Sequence, residues 1–129
     1  MWLFTNVGFY SLVQDKDDSD ILVVRTRDRE SARTALDALE TEFGWVTALV
    51  ENAGTDYPYR FHVSREVAAL WAASEVRNYI TYTNYKSALS TARGPQWESA
   101  AMRVWADMHA VTDPEKQDQG YYGYVNRDR

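Results

Sequence analysis

The sequence predicts an α+β protein: an antiparallel sheet of about four strands in ββαββα order, helices on one face, and a helical C-terminal part. Three observations carry this. Short β-prone runs come in pairs ahead of each of the first two helical stretches. Apolar residues then recur at helical spacing over residues 32–43 and 67–80. The run Tyr57-Pro58-Tyr59-Arg60-Phe61-His62-Val63 alternates aromatic with basic residues, so as a strand it has one greasy face and one cationic face. Strands in pairs ahead of helices favour an antiparallel sheet with the helices packed on one side. A ferredoxin-like βαββαβ arrangement is the second reading.

Each element has a local reason. Residues 2–5 read as a short strand and about 9–14 as another, with a bend at Asn6-Val7-Gly8 between them. Asp15-Lys16-Asp17-Asp18-Ser19-Asp20 is a charged turn, and Ile21–Arg27 is the returning strand of a hairpin. Ile21, Val23, Arg25 and Arg27 share one parity; Leu22, Val24 and Thr26 share the other. Asp28 suits a helix N-cap and Gly44 a C-terminal stop, which frames a helix at 29–43. Residues 45–51 read as the third strand, Asn52–Asp56 as a turn, and 57–63 as the fourth strand. Pro58 places the start of that strand at an edge or a bulge. Ser64 caps a helix at about 65–79, whose apolar positions Val67, Leu70, Trp71, Val76 and Ile80 are wide enough to meet both the sheet and another helix. A short helix follows at 84–92. Gly94-Pro95 opens the last one, striped by Trp97, Ala101, Val104, Trp105, Met108 and Val111.

Length sets the domain count. A chain of 129 residues suffices for one domain with a real core and is short for two. Residues 1–111 are expected to form that domain, with 112–129 a polar, flexible tail that holds the tyrosine cluster Tyr121, Tyr122 and Tyr124. The formal net charge of −5 disfavours nucleic acid and anionic membrane, whose phosphates demand clustered Lys and Arg. There is no cysteine, which excludes disulfides, thiolate nucleophiles and Cys-ligated zinc and fits a reducing cytoplasm. No signal-peptide pattern or membrane-length apolar run is visible. A cytoplasmic protein is expected.

Met1-Trp2-Leu3-Phe4-Thr5, Gly8-Phe9-Tyr10-Ser11, Val24-Arg25-Thr26-Arg27, Ala53-Gly54-Thr55-Asp56-Tyr57, Tyr82-Thr83-Asn84-Tyr85-Lys86 and Val104-Trp105 occur in that order. Together they resemble a family of small uncharacterised bacterial and phage-encoded proteins, a domain of unknown function. The resemblance covers about residues 1–108. It implies a small intracellular protein of mobile-element origin. It carries no activity, so it assigns no residue a role.

Chemistry is sparse. No phosphate-binding glycine loop, dinucleotide fingerprint or nucleophile elbow is present. Asp56 and His62 lie about 20 Å apart along a strand, too far for an acid–base pair, and Asp56 reads as a turn residue bonding backbone N–H groups. His62 and His109 are the only histidines, and His109 reads as a packing residue. The acidic turn at 15–20 lacks the ligand spacing of a calcium loop. Tyr82, Tyr85 and Lys86 form too short a basic–aromatic cluster for nucleic acid. No catalytic residue, metal site or cofactor is assigned.

Arg25, Arg27, Arg60 and His62 form the one candidate site. If the second and fourth strands share a sheet with these parities aligned, the four groups share a face. Arginine's planar fork suits carboxylate or phosphate, and histidine switches charge near neutrality. The commoner arrangement is a solvated face where each arginine pairs with a nearby acid. Abundant Trp and Tyr with no catalytic signature point to a non-enzymatic interaction module, an adaptor or inhibitor whose partner is another protein, with a homodimer also in view. The alternative is a small anion- or nucleotide-binding protein built on the arginine-lined face. A nucleic-acid binder or acidic mimic is the weakest reading.

Overall fold

A computed structural model describes residues 1–115; the tyrosine cluster and most of the expected tail lie outside the described residues. The chain divides into two compact units, Met1–Thr83 and the segment from Asn84 onward. In the first unit the order is β1 (Trp2–Phe4), β2 (Phe9–Gln14), β3 (Ile21–Thr26), α1 (Arg29–Phe43), β4 (Tyr59–Ser64) and α2 (Arg65–Tyr79). The four strands form one antiparallel sheet in the order β1-β2-β3-β4. The α+β class, the antiparallel four-stranded sheet and the helical C-terminal part are therefore present as expected.

The strands differ in one place. Residues 45–51 do not form a strand; only Val50 pairs, in an isolated bridge with Arg60. The short strand expected at residues 2–5 is present as β1 and completes the four-stranded sheet, through the register Trp2 to Ser11 and Phe4 to Phe9. β4 is thus an edge strand, and the 45–53 segment covers its rim. Ala53 N donates to Pro58 O at 3.0 Å, Val50 N to Arg60 O at 2.8 Å, and Trp45 Nε1 to His62 O at 3.1 Å.

α1 and α2 cover one face of the sheet. Tyr10, Leu12, Val24, Phe61 and Val63 from the strands meet Ala35, Leu36, Leu39, Ala68 and Trp71 from the helices in a single core. All five strand residues share one sheet face by register. Trp71 is fully buried and meets Tyr10 edge-on, ring centres 5.0 Å apart. The helices begin and end where the local chemistry dictates. The Asp28 carboxylate accepts from Ser31 N at 2.9 Å, and the Ser64 hydroxyl from Val67 N at 3.2 Å. Gly44, at φ 67°, stops α1 in the left-handed region and donates its N–H to Glu40 O. α2 buries Ala68, Trp71 and Ser74, whereas Leu70, Val76 and Ile80 are exposed. α2 thus meets both the sheet and α1, as expected, and the rest of its apolar stripe is exposed.

In the second unit, α3 (Tyr85–Arg93) and α4 (Pro95–Thr112) pack on each other. Asn84 caps α3 by accepting from Ser87 N, and Pro95 opens α4. Lys86 Nζ lies 5.7 Å from the Trp105 ring centre and the Arg93 guanidinium 3.9 Å from that of Trp97. Ala101 is buried, but Val104, Trp105 and Met108 are exposed. His109 is likewise exposed; it packs on the surface by stacking on Trp105, ring centres 5.4 Å apart, and not in the core.

Candidate functional site

The sheet face turned away from α1 and α2 carries the candidate residues. Register fixes their neighbours. Trp2 pairs with Ser11, Ser11 with Arg25, and Arg25 with Arg60. These four residues form one row across the sheet, and its ends are about 14 Å apart at the usual strand spacing. Phe4 and Phe9 lie on the same face one row away, and Val13, Val23 and His62 on the other side. Trp2 and Phe4 both meet Phe9 edge-on, at 5.5 and 5.1 Å between ring centres. Trp2 is 66% exposed.

Three of the four basic residues gather around one loop. Tyr57 lies outside β4 and leaves the parity that would have turned it toward the helices. Its ring is buried beneath two guanidinium groups instead, Arg25 at 4.6 Å and Arg27 at 5.1 Å from the ring centre. Arg60 donates to Tyr57 O at 3.2 Å and to the Thr55 hydroxyl at 2.7 Å. Thr55 also shapes the turn: its oxygen accepts from Tyr57 N and its hydroxyl donates to Tyr57 O. That is the task expected of Asp56, which is exposed and pairs with Arg27 at 3.8 Å. His62 stands apart from the three arginines. Its Nε2 is 3.3 Å from Asp15 Oδ1 at the base of the acidic hairpin turn. The Asp15 carboxyl is held below its ordinary range, chiefly by the Asp17 amide, with smaller contributions from the Asp18 amide and His62.

Arg25 and Arg60 differ from Arg27 in their electrostatics. Both are half-buried, and neither has a carboxylate within 4 Å among the described residues. Arg25 donates one bond to the buried Ser11 hydroxyl at 2.7 Å, and its Nε is buried with no hydrogen-bond partner. The arrangement is a pair of adjacent guanidinium groups, held from behind by a hydroxyl and an aromatic ring, with donor capacity to spare. It can accept a carboxylate or phosphate oxygen. Among the described residues no group of three or more His, Asp and Glu side chains is placed to hold a metal ion, and no helix is long and apolar enough to cross a membrane.

Sequence reasoning missed Ser11, Thr55 and the Trp2–Phe4–Phe9 cluster. The parity of 2, 4, 9 and 11 was readable, but assigning it to the arginine face requires the register between β1, β2 and β3. No family model, curated protein or solved structure matches this chain.

Proposed function

We propose that the protein is a non-catalytic interaction module that grips an acidic segment of a partner protein across the outer face of its sheet. One observation carries the reading: Arg25 and Arg60 oppose each other directly on neighbouring strands, and among the described residues neither has a carboxylate within 4 Å. Like charges in that position oppose folding, and a bridging carboxylate from outside offsets the repulsion. Trp2, Phe4 and Phe9 add aromatic area of the kind enriched in protein interfaces. One or two carboxylates suit this face better than a nucleic acid. The chain is acidic, and the Asp-rich hairpin turn adjoins the His62 end of the face, so a long polyanion is repelled. The cysteine-free composition supports action in the cytoplasm.

A second reading is a free phosphate-bearing ligand. The adjacent guanidinium groups of Arg25 and Arg60 favour it, because the several oxygens of a phosphate can accept from two guanidinium groups at once.

Affinity capture with wild type and an R25Q/R60Q variant tests the proposal. Partners with acidic segments that bind wild type and are lost from the variant support it. Equal capture by both, or capture by neither, overturns it. Thermal stabilisation of wild type by phosphate or nucleotides, absent from the variant, selects the second reading.

A further inference from the structure

A cleft on the opposite side of the first unit is unconnected with the arginine face. It opens where the β1–β2 turn meets α1 and the end of α2, and its volume is about 330 Å³. That is near the lower bound for small-molecule sites. Val7 and Ala38 supply apolar wall, and Asn6, Thr34, Glu75, Asn78 and Thr81 supply polar groups.

Those polar groups are largely unspent. Among the described residues the side chains of Asn6, Thr34 and Thr81 make no hydrogen bond. Asn78 donates to Ser74 Oγ at 3.0 Å, which leaves its carbonyl oxygen free. Glu75 Oε1 accepts from the buried Trp71 indole at 3.1 Å, and among the described residues the second carboxylate oxygen has no partner. The groups therefore include acceptors and hydroxyls set around one half-buried carboxylate.

The charge of the cleft is also uncompensated. Among the described residues no Lys, Arg or His lies within 4 Å of Glu75 or of Glu42. Glu42 stands behind the cleft, tied to the Ser74 hydroxyl at 2.7 Å and bonded to Tyr79. Burial pushes the Glu75 carboxyl above its ordinary range, and the charge of Glu42 adds to the push. Tyr79 flanks the opening with an aromatic ring, which attracts a cation over its face.

We infer that this cleft binds a small organic cation, a primary ammonium or a guanidinium on a short chain, with Glu75 as its counter-ion. A single lining carboxylate supplies little of the negative charge with which protein sites hold a calcium-type ion. A charged nitrogen with several N–H donors matches one carboxylate oxygen, the Asn78 carbonyl and the two threonine hydroxyls. The chain's net charge of −5 favours the encounter.

Calorimetric and thermal-shift titrations with agmatine and putrescine test this, with 1,4-butanediol as the neutral isostere. Wild type at mildly alkaline pH binds a diamine and not the diol, and binding fades as the solution is acidified and Glu75 takes up its proton. E75Q keeps the Trp71 bond through its amide oxygen and weakens diamine binding at least about tenfold. T34V, whose circular dichroism matches wild type, weakens it by a smaller factor. Equal binding of the diol, unchanged diamine affinity in a folded E75Q protein, or no binding at millimolar diamine overturns the inference.

Discussion

Arg25 on β3 and Arg60 on β4 face each other directly across the strand pair, and among the described residues each guanidinium is held by neutral groups only. Arg25 uses Ser11 and the Tyr57 ring, and Arg60 uses Thr55 and the Tyr57 carbonyl. The two positive charges are thus positioned by their neighbours and repel each other. A double-mutant cycle with R25Q and R60Q reads this out in urea denaturation. The double variant loses more stability than the sum of the singles, by about 0.2–1 kcal/mol, because relief of repulsion is gained only once. The excess shrinks at high salt.

Tyr57 is the shared platform for two cations. Y57L removes both contacts while keeping an apolar side chain at a buried position. The expected loss is about 1–2 kcal/mol by denaturant titration, since each cation–π contact at a partly exposed site contributes about 0.5–1 kcal/mol.

Gly8 is close-packed rather than flexible. A Cβ there meets the Tyr10 ring at 2.6 Å from Cζ and the Ser31 hydroxyl at 3.0 Å. Tyr10 is itself locked against Trp71 in the core. G8A therefore costs about 1–3 kcal/mol. The companion Y10F/G8A variant, which removes the overlapping hydroxyl, recovers part of that loss in the same assay.

Glu75 sets a pH dependence with a definite sign. Its folded-state carboxyl binds a proton more tightly than in the unfolded chain, through burial first and Glu42 second. Stability from this group is complete below the unfolded glutamate range and is lost as pH rises through the higher folded value. E75Q consequently melts at a higher temperature than wild type at neutral pH, and the two converge in acid. A melting-temperature series across pH checks this.

Asp15 acts in the opposite direction. Its carboxyl is held down, so its contribution is present above the ordinary aspartate range and disappears as pH falls through the lower folded value. D15N melts below wild type at neutral pH, and the gap closes in strong acid.

Local chemistry made much of the fold legible. Asp28, Gly44, Ser64 and Pro95 marked helix ends that the structure places within a residue of expectation. The alternation in Ile21–Arg27 and Tyr59–Val63 gave the correct inner face. Two things lay beyond local reading. Trp45–Val50 has strand composition, yet it makes a single bridge to β4, with Trp45 and Leu49 packed against the core and Val46 and Val50 exposed. Parity is valid only inside a strand, so it failed at Tyr57, two residues before β4 begins. The apolar stripes on α2 and α4 were readable as stripes, but helical period does not say which part of a stripe is covered. For the site, residue type brought Arg25 and Arg60 together, while Asp15 as the partner of His62 depended on a strand register that no local pattern encodes.

The 45–53 segment also determines how the molecule can be approached. Three successive outward carbonyls along this edge, Pro58 just before β4 and Arg60 and His62 within it, already have donors in Ala53, Val50 and Trp45. An incoming extended chain finds no acceptors left along that margin, so templated sheet growth is blocked there. Contact with another molecule beside β4 has to be made by side chains from above the pleat.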